Sequence, residues 1–413
     1  MVGGGAREHA LVRALSFDPD VTGLHAAPGN PGIGELATRH AVDPEDGDAV
    51  AALAVSLGVG LVVVGPEAPL VAGVADAVRA AGVPVFGPSA QAARLEGSKA
   101  FAKEVMAAAG VPTAAARVAT TLDEVAAALD EFGAPHVVKE DGLAAGKGVV
   151  VTSDRAAALE HAASCLAKPG GRVVVEEFLD GPEVSLFVLS DGSAVVPLQP
   201  AQDFKRVDDD DAGPNTGGMG AYSPLPWAPS GLVDEVVATV AEPTIAEMAR
   251  RGAPFVGVLY CGLALTSRGV RVVEFNARFG DPETQVVLAR LATPLAGVLT
   301  AAATGELASL PPLRWHDEAA VTVVVAAHGY PGRVRSGDPI TGIGDAERVP
   351  GVHVLHAGTS LRDGVLVSSG GRVLSVVGTG PDLTAARDAA YAGVARIELA
   401  GSHHRTDIAR RAA

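Results

Sequence analysis

Glu274, Asn276 and Arg278 stand at every second position of the stretch VVEFNARFGDPETQ, Val272 to Gln285. An extended chain sends alternate side chains to one side, so these three share a face while Phe275 and Phe279 take the other. A carboxylate and an amide oxygen side by side suit a hard divalent cation such as magnesium, which keeps water and substrate phosphate oxygens in its remaining positions. An arginine beside them can clamp a carboxylate or a phosphate. A solvated edge strand with a chance salt bridge accounts for the triplet equally well, so the rest of the chain has to decide.

Other segments carry chemistry of the same kind. GGGAREHA, opening a helix, has Glu8 where the third glycine of a dinucleotide fingerprint belongs, so an oxidoreductase reading rests on this loop alone and is incomplete. Bare amides at a helix N-terminus still favour a phosphate there. GLAAGKGV fails as a P-loop: Gly142 and Gly146 are too close, and Gly148 replaces the Ser or Thr after Lys147. It reads instead as a glycine-rich hairpin whose lysine and amides can close over phosphates, although taken alone a flexible surface hairpin accounts for it better. In VVVEEFLDGPE, the backbone of Glu176 to Leu179 could read an adenine edge and Glu183 could accept from ribose hydroxyls, against the plainer reading of a strand end with solvated acids. The run Asp208 to Asp211 reads as a solvated loop tip rather than a metal site. The histidines lack metal-ligand spacing.

The elements that must position these groups follow from periodicity. The first ninety or so residues alternate short apolar runs with helical patterns, the beat of a parallel α/β sheet, and APGNPG and GPEAPL follow strand ends where ligands sit in such sheets. A second α/β region begins near LEGSKAF. Gln199 to Gly231 shows neither strand nor helix periodicity and reads as a long loop, functional or disordered. A hairpin turning at Ser267 to Gly269 carries the opening triplet, and from about Glu318 a strand-rich lobe ends in a helix near Asp382 to Ile397.

With 413 residues, 48% of them hydrophobic, the chain suits two to four lobes. A formal charge of -16 argues against a sequence-independent grip on nucleic acid. Cys165 and Cys261 are far apart and read as core thiols of a reducing compartment. The absence of a basic-apolar leader or a long apolar run makes cytoplasmic residence the expectation.

Taken in order, GGGAREHA, HAAPGNPG, VGPEAPLVAGVAD, FGPSAQAARLEGSKAF, VVKEDGLAAGKGV, EEFLDGPE, QDFKRVDDDDAGPNTGGMGAYSP, EFNARFGDPETQ, HAGT and GGRVL resemble the phosphoribosylamine-glycine ligase family of the ATP-grasp superfamily over nearly the whole chain. The resemblance implies an α/β and α+β multidomain protein. Its parts would be an amino-terminal parallel α/β lobe (1–95) that holds phosphoribosylamine, a two-lobed ATP-grasp core (96–315, mobile small lobe about 115–182) and a small carboxy-terminal strand-rich lobe (316–413). It implies ATP, glycine and 5-phosphoribosylamine as substrates, with magnesium or manganese as cofactor, no nucleic acid or membrane partner, and a monomer. ATP would lie on Lys99, Lys139 and Lys147, with Glu176, Glu177, Phe178 and Leu179 at adenine and Glu183 on ribose. Glu274 and Asn276 would hold the metal. Arg278, Asp203 and Lys205 would face glycine and the transferred phosphate, and Gly5, Arg7, Asn30, Pro66 and Glu67 the phosphoribosylamine. Two features depart from the family pattern. Only Met1 and Val2 precede Gly3, which leads us to expect a weakened first strand, and Glu140 follows the strand lysine, pointing away from it.

Overall fold

The computed structural model describes residues 1–143 and 148–412. At the amino-terminal end, Thr38–Arg39, His25–Pro28 and Val2–Gly3 pair in parallel. Val62–Val63 pairs in parallel with Val85–Phe86, and a Val2 to Val64 bridge joins the two groups. Val2 is therefore central, its short strand flanked on both sides, and the chain leaves it first toward one edge and then toward the other. That reversal opens a crevice beyond the carboxyl ends of the central strands, where the loops Gly3–Gly5 and Gly65–Glu67 lie. The helices Ala6–Ser16, Gly47–Leu57 and Val74–Ala80 pack on this sheet through Leu11, Val12, Val50, Val74 and Val78, all buried.

A second sheet is antiparallel throughout, in the order Ala116–Ala119, Val173–Glu176, His136–Glu140, Val149–Thr152. Its helices Leu122–Phe132 and Arg155–Leu166 bury Val125, Leu129, Ala158, Ala162 and Cys165 against Val138, Val173 and Val175. Thr121 and Glu124 start the first of these helices with a reciprocal capping box, and Asp154 caps the second. The apolar side of each helix thus meets one face of the sheet.

The third sheet runs Val195–Pro197, Glu183–Asp191, Val256–Thr266, Gly269–Asn276. The fourth runs Gln202–Asp203, Gly220–Ser223, Ala319–Ala326, Arg372–Gly380, Val352–His356, with the helix Leu383–Val394 packed on it. Here the structure corrects the sequence. Residues 199–231 are not a structureless loop: Gln202–Asp203 and Gly220–Ser223 are edge-side strands of the carboxy-terminal sheet, and Arg206–Asp208 pairs with Ala212–Asn215. The strands are two to four residues long, too short to show a period of two. Glycines and a proline in NTGGMGAYSP mask the remainder.

Candidate active site

A cleft of about 960 Å³ opens between the second and third sheets and reaches the amino-terminal crevice. One wall is the strand Gly269–Asn276, where the register against Val256–Thr266 shifts between Gly262 and Leu263. This irregularity turns the Val273 carbonyl toward the second sheet, and Lys139 donates to it across the cleft at 2.9 Å. Lys139 also meets Glu176 at 2.8 Å, and Glu176 meets Lys103 at 3.1 Å. The Glu176 carboxylate is thus held by two lysines, and Glu176 to Leu179 line the cleft, with the Glu177 N–H donating to the Ala115 carbonyl at 3.0 Å. Lys99, at the start of the helix Lys99–Ala109, donates to the Gly142 carbonyl at 2.9 Å, and burial lowers its pKa. Lys147 lies outside the described residues.

Glu274 and Asn276 both line the cleft. Burial pushes the Glu274 carboxyl up, but Lys205, Lys139, Lys99 and Arg278 outweigh it and hold the group below its ordinary value. Among the described residues its carboxylate makes no hydrogen bond or close ion pair, and neither does the Asn276 side-chain amide. An ionised carboxylate and an amide oxygen, adjacent and uncommitted in a wall of cations, fit a hard divalent metal that completes its shell with water and phosphate.

Opposite, Asp203 and Lys205 come from the edge of the fourth sheet. Lys205 pairs closely with Glu183. The Asp203 carboxyl is pushed up to about 7, first by burial and then by Glu283, Glu183 and Glu274, with Lys205 opposing. Ser185 Oγ, Tyr260 Oη and Glu283 Oε1 form a buried triangle of hydrogen bonds of 2.8 to 2.9 Å beneath this end. The turn before Glu183 depends on Gly181, whose φ is +86° and where a Cβ would fall 2.1 Å from the Leu265 carbonyl oxygen.

Arg278 lines the cleft, but its fork is engaged: Nε meets Glu67 at 3.1 Å, Nη2 meets Glu96 at 2.9 Å, and Nη1 donates to the Phe279 carbonyl at 3.2 Å. This leaves one N–H on each Nη. Arg7 donates to the same carbonyl at 3.0 Å and lies 3.9 Å from Glu67, so Arg7, Glu67 and Arg278 form one junction between the amino-terminal crevice and the cleft.

The loop GGGAREHA departs from its sequence reading. Its amides are not all bare, because Glu8 turns back to accept from the Gly5 N–H at 2.5 Å and from Arg7 Nε at 2.5 Å, a cap supplied by the residue that displaced the third glycine. Asn30 is buried and committed: its amide donates to Gly4 O and His356 O, and its oxygen accepts from Ile33 N. It ties the loop to the carboxy-terminal sheet rather than presenting its amide to a ligand. Gly5, Asn30 and Pro66 lie outside the cleft lining; Arg7 and Glu67 lie within it. Asp209 to Asp211 are likewise not a free tip, since each contacts the 405–411 segment.

Comparison with known proteins supplies the family. Residues 1–96, 97–284 and 320–411 match the models described as Phosphoribosylglycinamide synthetase N domain, ATP-grasp (A) domain and C domain. The chain belongs to the phosphoribosylglycinamide synthetase family. It is 71% identical over 415 residues to the phosphoribosylamine--glycine ligase of Streptomyces coelicolor, covering 100% of this chain and 99% of that one. It is 59% identical over 419 residues to the enzyme of the same name from Mycobacterium tuberculosis, covering 100% and 98%. The crystal structure of phosphoribosylamine--glycine ligase from Thermotoga maritima superposes with a TM-score of 0.85 at 32% identity, over 98% of each chain. The biotin carboxylase domain of Hydrogenobacter thermophilus 2-oxoglutarate carboxylase, at 18% identity, TM-score 0.73, and 98% and 90% coverage, shares the fold. This member of the synthetase family is thus an ATP-dependent ligase of the ATP-grasp type that joins glycine to phosphoribosylamine in purine biosynthesis. None of the helices among the described residues is long and apolar enough to cross a membrane.

Three groups at the synthetase cleft escaped the sequence reading. Lys103 had a signal, because Lys99 and Lys103 are one turn apart on a helix and share a face. Glu96 and Glu283 had none, since a lone glutamate beside an apolar run reads as surface until the fold places Arg278 or Tyr260 against it.

Proposed function

We propose that the synthetase activates glycine as a glycyl phosphate within this cleft. A glycine carboxylate oxygen attacks the terminal phosphorus of ATP and ADP leaves; the amine of phosphoribosylamine then attacks the acyl carbon, and phosphate departs with that oxygen. Lys99 and Lys139, with Lys147 of the glycine-rich hairpin, neutralise the phosphates. The backbone from Glu176 to Leu179 frames the adenine, and Glu183 accepts from the ribose. Glu274 and Asn276 would hold magnesium or manganese, which draws charge from the phosphate oxygens when bound. Asp203, Lys205 and Arg278 orient glycine and the transferring group, Arg278 through the N–H groups left free of Glu67 and Glu96. Arg7 and Glu67 face the phosphoribosylamine from the amino-terminal crevice, in a pocket shaped by Gly5, Asn30 and Pro66.

The observation that carries this reading is the pair Glu274 and Asn276, uncommitted among the described residues, in a wall of Lys99, Lys139 and Lys205. Glycine labelled with heavy oxygen in its carboxylate tests the route. One labelled oxygen per turnover should appear in inorganic phosphate; unlabelled phosphate would mean that the sugar amine, not glycine, is activated.

We further propose that residues 1–95, 96–315 and 316–413 act as domains, with 115–182 the moving lobe, in a cytoplasmic monomer. Every proposed ligand contact comes from one chain. Limited proteolysis should cut first near the proposed boundaries, and a sedimentation mass well above one chain would overturn the monomer.

A further inference from the structure

We propose that Arg405 is a positioning residue for the segment that carries Asp203 and Lys205. The inference rests on the reading that Lys205 serves the reaction. Arg405 is 1% exposed, one of the largest fully buried side chains. Its guanidinium lies over the Phe204 ring, 4.9 Å from the centroid, directly between the two cleft residues in sequence. Its Nε and Nη2 grip the Asp407 carboxylate, each at 2.7 Å, while Nη1 donates to Asp211 at 2.8 Å and to the Arg206 carbonyl at 3.2 Å. One planar group thus touches residues 204, 206 and 211, fixing the strand and the turn on either side of Lys205. The contacts continue around it, with the Asp210 N–H donating to Asp407 and the Thr406 N–H to Asp209.

A second observation points to the same place. Among the described residues four non-glycine positions have positive φ, and three of them, Asp210, Asp211 and Ala409, belong to this clamp. Left-handed backbone at such residues persists only where the surroundings fix it, and it concentrates near functional sites. Asp210, Asp211, Arg405, Asp407 and Ala409 all line the cleft. An arginine stacked and bidentate is replaceable by neither lysine nor a neutral side chain without losing part of this grip.

The test is a cycle of Arg405→Lys, Lys205→Ala and the double variant in the full chain, with kcat, KM for ATP and melting temperature measured for each. Positioning predicts that Arg405→Lys lowers kcat about tenfold with KM for ATP within about twofold, and that the same change costs less than about twofold in the Lys205→Ala background. An equal loss on both backgrounds, or an unchanged kcat in Arg405→Lys, overturns the inference. Lys205→Ala turning over at the wild-type rate would instead sink the role of Lys205, and with it the basis of the inference, and that result is read from a different variant. Should Arg405→Lys fail to fold, Phe204→Leu removes the stack while leaving the ion pairs. The same non-additive pattern with Lys205→Ala is then expected, and additive losses overturn the proposal.

Discussion

The carboxylate of Glu274 sits close to four cations without bonding to any, and its value should show in turnover. Glu274→Ala and Asn276→Ala are each expected to lower kcat about 100-fold or more, the loss of roughly 3 kcal/mol of charge stabilisation, while circular dichroism stays native. Near-normal turnover at ordinary magnesium would return both to the status of wall residues. Arg278 has a double burden. Arg278→Lys keeps a cation but cannot meet Glu67, Glu96 and the Phe279 carbonyl together. It should cost about 1–3 kcal/mol in denaturant unfolding through the buried Glu96, and raise KM for glycine more than KM for ATP. Equal KM changes would detach Arg278 from glycine. Asp203 supplies a pH test. Its folded pKa is raised to about 7, whereas the unfolded chain releases this proton near pH 4. Between about pH 4 and 7 the folded state therefore holds more protons, and stability falls as pH rises through that window. Asp203→Asn should flatten this decline; parallel curves would show that Asp203 titrates normally. The triplet on one strand face was legible because strand periodicity alone aligns it. The commitment of Asn30 and the capping by Glu8 were not, because both depend on backbone groups brought in by the fold.

At the scale of elements, the parallel sheet, the hairpin bearing Glu274 and the final helix were legible from periodicity. The strands within 199–231 were not, since each is shorter than the window over which alternation can be recognised. The strand that ties them to the sheet, Ala319–Ala326 against Gly220–Ser223, lies about a hundred residues away in sequence, and nothing local announces it. The packing of the helix Leu383–Val394 on Arg372–Gly380 sets how firmly that sheet is backed. A Cβ at Gly378 would fall 2.3 Å from the Ala386 carbonyl oxygen and 2.4 Å from the Ala390 nitrogen, both backbone atoms of the helix. The helix has to lift, so Gly378→Ala should destabilise by about 1–3 kcal/mol as an overpacked contact. An unchanged denaturation midpoint would mean that the helix is more loosely seated than these distances state.

Across the whole molecule, charge decides how the nucleotide arrives. The chain carries a formal charge of -16, and most cations of the cleft are already matched: Lys103 and Lys139 by Glu176, Lys205 by Glu183, Arg278 by Glu67 and Glu96. Among the described residues Lys99, bonded to a carbonyl, has no close carboxylate partner, and Glu274 adds a negative charge that none of them pairs. A free nucleotide polyanion thus enters a cleft with little unbalanced positive charge, inside a protein whose long-range field repels it. The metal complex carries two fewer negative charges and gives Glu274 and Asn276 oxygen-binding work to do. We therefore expect removal of divalent ions by chelation to weaken ATP binding about tenfold or more, roughly 1.4 kcal/mol, in calorimetric titrations without glycine. Glu274→Ala should shrink that difference, because it deletes a ligand and an anion together and so favours the free nucleotide relative to its complex. Equal affinities with and without metal in the wild-type protein would show that the lysines alone carry the phosphates, and that Glu274 has some other task.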